Sequence, residues 1–204
     1  METKRIILSG GGTGGHIYPA ISIANEILFR DKNTEILFVG AKNKMEMTIV
    51  PKYGFSILGL WISGINRNNF LKNILVPVKL FISVFQSLLI IKRFSPNVVV
   101  GTGGYVSGPI LYVANLLKIP TLIQEQNSYP GITNKLLSKK VNTICVAYNY
   151  LDEYFPKDKI KLTGNPVRSS ISENSDFFEK GMEYFGLNSN KKTMLVIGGS
   201  LGSR

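Results

Sequence analysis

Arg5-Ile6-Ile7-Leu8-Ser9-Gly10-Gly11-Gly12-Thr13-Gly14-Gly15-His16 decides the fold of this chain. A short apolar strand over Arg5-Ile6-Ile7-Leu8 runs into a loop with five glycines in six positions, Gly10 to Gly15. Beyond it Ile17, Ile21, Ala24 and Leu28 recur on one face of a predicted helix, the spacing of a helix packed on a sheet. A loop nearly free of side chains lets backbone N–H groups and the helix dipole approach a phosphate directly. Gly10-x-Gly12-x-x-Gly15 also satisfies the dinucleotide-binding pattern, which by itself is weak evidence. That pattern requires an acid at the end of the second strand to hold a ribose. The second strand, Glu35-Ile36-Leu37-Phe38-Val39-Gly40, has its acid at the wrong end, so a nicotinamide cofactor is disfavoured. A tight turn needing glycine only for geometry is the plainer alternative, but it has no use for a histidine at the helix start.

Strand and helix signals alternate onward. Helices are expected near Asn43 to Pro51, from about Phe70 to Phe94, near Gly108 to Leu117 and near Ile132 to Lys139. Strands are expected at Phe55 to Leu60, Asn97 to Val100, Pro120 to Gln124, Thr143 to Ala147 and Ile160 to Leu162. Near-continuous Val/Ile/Leu strands joined by helices predict an α/β fold with a Rossmann-like parallel sheet covered on both faces. Ligands of such sheets bind beyond the carboxyl ends of the strands. A second glycine cluster, Gly101-Thr102-Gly103-Gly104-Tyr105-Val106-Ser107-Gly108, and the polar Gln124-Glu125-Gln126-Asn127 belong to that same edge. Near the end, a polar helical stretch leads to Met194-Leu195-Val196-Ile197-Gly198-Gly199-Ser200, which repeats the opening strand-then-glycine-loop order. It is expected to be the first element of a truncated second domain. The predicted organisation is therefore a Rossmann-like domain over residues 1–163, a linker over 164–190 and the start of a second α/β domain over 191–204.

Composition narrows the function classes. The chain has 204 residues, 44% of them hydrophobic, and 24 Lys and Arg against 13 Asp and Glu, a net charge of +11. Such a balance favours a polyanionic partner, whether nucleic acid, an anionic membrane or phosphorylated ligands. Without a recognition-helix or RNA-binding signature, no nucleic acid is expected. The single cysteine, Cys145, excludes a disulfide framework and reads as a strand residue rather than a nucleophile. No cluster of His, Cys, Asp and Glu stands at ligand spacing, so no metal is expected. The apolar run Ile6-Ile7-Leu8 behind Lys4 and Arg5 is too short for a signal peptide.

His16, the only histidine, sits at a helix N-terminus, where a neutral imidazole is favoured and can take a proton or donate a hydrogen bond. The alternative is a histidine that merely caps the helix. Glu125 is the rival base, or else a structural carboxylate tied to its own loop. Asn127 can both donate and accept a hydrogen bond, and Arg168 offers a planar fork for a phosphate or carboxylate, with a surface salt bridge as its plainer role. In the long apolar helix, Lys79, Ser83, Gln86 and Ser87 interrupt the run, and a lysine there argues against a membrane span. Lys72, Leu75, Lys79, Ile82 and Phe85 suit a helix lying on an anionic bilayer, although packing on the sheet competes for the same apolar surface.

Several stretches in order carry a resemblance: Gly11-Gly12-Thr13-Gly14-Gly15-His16 with Tyr18-Pro19, Met45-Glu46 with Val50-Pro51, Ile62-Ser63-Gly64, Gly103 to Pro109, Glu125-Gln126-Asn127, Thr133-Asn134-Lys135, Gly164-Asn165-Pro166-Val167-Arg168 and Gly198-Gly199-Ser200-x-Gly202. Together they resemble the bacterial peptidoglycan N-acetylglucosaminyltransferases that convert lipid I to lipid II. The resemblance implies a glycosyltransferase of the two-Rossmann-domain (GT-B) architecture, lying peripherally on the cytoplasmic face of the cell membrane and needing no cofactor. It implies UDP-N-acetylglucosamine as donor and the lipid I acceptor as partner, with an anionic inner-membrane surface and other cell-wall synthesis or division proteins. Thr13, Gly14, Gly15, Asn127, Arg168 and Ser200 are then expected on the nucleotide sugar, and Gly104, Tyr105 and Ser107 on the acceptor side. A fragment ending in the second glycine loop is expected to be inactive alone. Two other classes stand beside this one, a non-catalytic membrane-associated module binding a lipid-linked diphosphate and an unrelated Rossmann dehydrogenase.

Overall fold

The structure, a computed structural model, describes residues 3–65, 73–167, 176–188 and 190–196. The chain divides into two compact units, Met1–Pro166 and Val167–Arg204. In the first, seven strands form one sheet: β1 (Arg5–Gly10), β2 (Glu35–Ala41), β3 (Ser56–Leu60), β4 (Val98–Gly103), β5 (Thr121–Glu125), β6 (Thr143–Val146) and β7 (Ile160–Leu162). Every pairing is parallel and the order is β3-β2-β1-β4-β5-β6-β7. Strand order reverses between β1 and β4, so the loops leaving these two strands part to opposite faces and open a crevice at their carboxyl ends.

Both faces are apolar because successive strand residues point opposite ways. Ile7, Leu37, Val39 and Val99 enter one core with Ile110, Leu111 and Ile91, while Leu8, Phe38 and Val100 enter the other with Ile17, Ile21 and Val50. The first core lies under helices α3 (Val76–Phe94), α4 (Ser107–Leu116) and α5 (Ile132–Leu137), the second under α1 (Gly14–Arg30) and α2 (Glu46–Lys52). The parallel α/β architecture expected from the alternation is the one found.

Several elements differ from expectation in their bounds or, in one case, in existing at all. The helix after β2 starts at Glu46 rather than near Asn43, whose left-handed φ of 60° is incompatible with helix. Helix α3 starts at Val76 with Pro77 in its first turn, where a missing N–H costs nothing. Residues 70–72, expected to be helical, lie outside the described residues. Finally, Met194 to Val196 form no strand and are largely exposed, Met194 to 86%. A strand exists only through a neighbour's hydrogen bonds, and no described segment pairs with this one.

Helix α3 inverts the usual polarity. Ser83 and Ser87 are fully buried, their hydroxyls returned to Leu80 O and Ser83 O at 2.7 Å. Gln86 accepts from the Trp61 amide at 2.8 Å, and the Lys79 ammonium donates to Ser63 Oγ at 3.3 Å beside the Trp61 ring. All four polar interruptions of the apolar run therefore face the protein. Leu75, Val78, Phe81, Phe85 and Leu89 are exposed, Phe81 to 78%. Of the residues expected on a bilayer, Leu75 and Phe85 are outside, Ile82 is half-buried, Lys79 is turned inward, and Lys72 lies outside the described residues. Among the described residues no helix is long and apolar enough to cross a membrane.

The second unit contains helix α6 (Asp176–Tyr184). Gly186 at φ 60° closes it, with Gly186 N–H donating to Glu183 O and Leu187 N–H to Met182 O, the paired bonds of a Schellman cap.

Gly101 in β4 tests the packing of the first unit. A Cβ there would lie 2.4 Å from Cδ1 of the fully buried Leu111. Gly101→Ala is expected to lower the unfolding free energy by about 1–3 kcal/mol through overpacking, read from the urea midpoint at unchanged slope.

Candidate functional site

The site stands at the carboxyl ends of β1, β4 and β5. Thr13 occupies the N-cap of α1 in extended backbone, and its carbonyl accepts from His16 and Ile17 N–H. Its side chain makes no cap bond, which leaves the first-turn N–H groups of Gly14 and Gly15 without a side-chain acceptor at the positive end of the helix. Where β4 ends, Gly103 and Gly104 both adopt positive φ, 104° and 81°. The two glycine loops pack directly on each other. A Cβ on Gly104 would stand 2.4 Å from Gly11 O, and one on Gly103 would stand 2.8 Å from the His16 ring.

His16 fills the seam between the loops. Its Nδ1 lies 3.1 Å from Gly11 O and 3.3 Å from Thr13 Oγ1. A carbonyl only accepts, so Nδ1 carries a hydrogen, and in the neutral ring Nε2 then holds the lone pair. The backbone behind the ring is pinned as well, because buried Thr102 donates through Oγ1 to His16 O at 2.7 Å. The arrangement offers a proton acceptor at Nε2 beside unpaired helix N–H groups, which is what a site taking a hydroxyl proton near a phosphate needs.

Glu125 is 1% exposed and its carboxylate is saturated. Oε1 accepts from the backbone and side-chain N–H of Asn127, and Oε2 from Gly131 N–H and Asn134 Nδ2, at 2.8–3.1 Å. Of the two roles open to it in the sequence, this geometry fits the structural carboxylate. Asn127 is exposed and held by this clamp, so its Oδ1 remains as an acceptor. Gln126 extends the network, donating to Thr102 O at 2.8 Å and to Gln124 Oε1, while Gln124 reaches Asn165 at 3.4 Å.

Tyr105 is half-buried with its ring against Gly12 and Gly64, and its phenol is pushed up first by burial and then by the charge of Glu46. Ser107, expected beside it on the acceptor side, is instead fully buried and donates to Gly104 O at 2.9 Å, capping the loop rather than facing a ligand. Arg168 and Ser200 lie outside the described residues. Cys145 is half-buried in β6 and burial pushes its thiol up, away from the thiolate a nucleophile requires. Glu46 is the site residue that sequence reasoning missed. It sits in the quoted Met45-Glu46 pair, but only the fold brings it under the first glycine loop.

Comparison with known proteins follows the same lines. Residues 6–146 match the family model described as the glycosyltransferase family 28 N-terminal domain. The chain is 58% identical over 204 residues to the UDP-N-acetylglucosamine--N-acetylmuramyl-(pentapeptide) pyrophosphoryl-undecaprenol N-acetylglucosamine transferase of Flavobacterium psychrophilum, covering 100% of this chain and 56% of that protein. It is 56% identical over 203 residues to the protein of the same name from Christiangramia forsetii, again covering 100% of this chain and 56% of the relative. The crystal structure of Acinetobacter baumannii MurG superposes with a TM-score of 0.68 at 27% identity, over 85% of this chain and 50% of that one. The chain thus spans about half the length of the curated relatives it matches.

The saturated Glu125 gives a direct test of the loop. Glu125→Gln sets an amide against N–H donors and is expected to lower the unfolding free energy by about 2–3 kcal/mol. Hydrogen exchange should speed selectively at the Asn127 and Gly131 amides. Unaltered exchange there would show that the carboxylate does not hold the loop.

Proposed function

Because the chain belongs to the glycosyltransferase family 28 N-terminal domain family, we propose that it is the acceptor-side half of an inverting N-acetylglucosaminyltransferase. The substrates in this proposal are those named in its relatives, UDP-N-acetylglucosamine as donor and undecaprenyl-diphosphoryl-MurNAc-pentapeptide as acceptor. The observation that carries it is His16 between the two glycine loops, with Nδ1 held by Gly11 O and Nε2 left as acceptor.

In the reaction, the muramyl 4-hydroxyl attacks the anomeric carbon of the donor sugar. The new C–O bond forms as the bond to the diphosphate breaks, the hydroxyl proton passes to His16 Nε2, and UDP departs with the electron pair. Thr13 and the N–H groups of Gly14 and Gly15 face the charge that develops on the diphosphate. Asn127, oriented by Glu125, offers its Oδ1 to a sugar hydroxyl. Glu125 acts here as a positioning residue, since four donors occupy its lone pairs. Gly104 and Tyr105 border the acceptor, and the roles of Arg168 and Ser200 on the donor rest on the family resemblance alone.

The acceptor's lipid tail stays in the membrane, so the protein has to work at that surface. The exposed apolar face of α3, ending in exposed Lys92 and Arg93, supports peripheral binding at the cytoplasmic leaflet.

Two measurements test these proposals. In a polypeptide carrying both halves, His16→Ala is expected to cut kcat by about 10²–10⁴-fold, the usual share of a general base, with the fold intact by circular dichroism. Near-normal turnover in that folded variant would sink the assignment of the base. Separately, replacing Phe81 and Phe85 by Ser is expected to weaken sedimentation with phosphatidylglycerol vesicles by roughly tenfold or more. Equal partitioning would remove α3 from the membrane contact.

A further inference from the structure

Glu46 is 0% exposed, and no lysine, arginine or histidine pairs with it among the described residues. A buried carboxylate without a cation is costly unless its oxygens are hydrogen-bonded. Here two backbone amides supply the bonds. Oε1 accepts from Ala41 N–H at 3.0 Å, where β2 ends, and Oε2 accepts from Gly12 N–H at 3.1 Å, inside the first glycine loop. The glycines around it make the room. A Cβ on Gly11 would lie 2.2 Å from Oε1, and one on Gly40 would lie 2.6 Å from Cγ.

The Gly12 N–H belongs to the same planar peptide unit as the Gly11 carbonyl, and in a trans peptide the two point in opposite directions. Gly11 O is the acceptor for His16 Nδ1. One rigid amide therefore has the Glu46 carboxylate at its donor end and the His16 imidazole at its acceptor end. A carboxylate drawing on the N–H polarises the peptide and makes its carbonyl a better acceptor. We propose that Glu46 is a positioning residue for His16, acting through the Gly11–Gly12 peptide to keep the hydrogen on Nδ1 and the lone pair on Nε2. A carboxylate bonded directly to a histidine does the same in metal sites and hydrolases. Here a peptide bond stands between the two. The catalytic meaning of this link rests on His16 being the base, but the link itself does not.

His16 is the only histidine of the chain, so its ring nitrogens can be observed without assignment ambiguity. The experiment is long-range proton–nitrogen correlation on the labelled 204-residue chain, at a pH where the ring is neutral. The wild type is expected to show Nδ1 protonated and Nε2 bare, the reverse of the preference of free histidine in water. A through-hydrogen-bond coupling should join Gly12 N to the Glu46 carboxyl carbon. Glu46→Gln keeps the volume but offers one acceptor to two N–H groups, and should move the tautomer ratio roughly two- to tenfold toward Nε2–H. Val50→Ala, which loosens the packing of α2 without touching the carboxylate, should leave the ratio unchanged.

An Nε2–H ring in the wild type would overturn the proposal whether or not any variant folds. So would an unchanged ratio in folded Glu46→Gln, or an equal shift in Val50→Ala. If His16→Ala kept its turnover while the tautomer behaved as expected, only the assignment of the base would fall.

Discussion

Everything at this site depends on the approach of two loops that leave adjacent strands toward opposite faces of the sheet. Strand order reverses at β1 and β4, and a register shift between Ser9 and Gly10 loosens their pairing just before the loops begin. Backbone from the second loop then comes so close to Gly11 O that not even a methyl group fits on Gly104. Main chain packs on main chain there, and the imidazole of His16 lies against both loops. The glycines in the two loops thus serve different ends. Gly14 and Gly15 keep side chains away from helix N–H groups, Gly103 and Gly104 admit backbone and a ring, and Gly11 and Gly40 admit a buried carboxylate.

Two acids organise this edge, and neither pairs with a base among the described residues. Glu46 ties the first glycine loop to the end of β2, and Glu125 ties the β5 loop to the start of α5. Backbone and amide N–H groups replace cations in both cases. An amide fixed in the fold costs no side-chain entropy to hold in place, whereas a lysine or arginine does. Although the chain has 24 basic residues, the acids nearest the proposed chemistry are satisfied by N–H dipoles.

How far the sequence could be read varies by element for physical reasons. The sheet was legible because a parallel strand buried on both faces is a short run of Val, Ile and Leu, and β1, β4 and β5 are such runs. The first glycine loop and His16 were legible because their order along the chain is also their arrangement in space. The role of Glu125 stayed open in sequence, since two of its four donors, Gly131 and Asn134, reach it only through the turn into α5. Glu46 was illegible for a stronger reason, because its partners come from β2 and from a loop far upstream. In α3 the periodicity located a stripe but not its orientation. Small serines suit a close approach of helices as well as they suit water, and the fold turned them inward. Met194 to Val196 looked like a strand, but strand character belongs to a pair, and the residues alone could not supply the partner.

The strand order also sets a timetable for synthesis. Ser9 in β1 pairs with Gly101 in β4, so the central ladder of the sheet cannot close until the ribosome has made everything between them. At ribosomal elongation rates that interval is on the order of 5–20 s. Throughout it, β1 can be flanked by β2 alone, and its other edge and the apolar residues Ile7 and Leu8 await a partner. Non-local parallel pairing of this kind is intrinsically slow and exposes strand edges to aggregation. Until Gly101 is made, the half-built sheet keeps one edge of β1 open, and the order of its strands rather than their composition sets how long that edge stays bare.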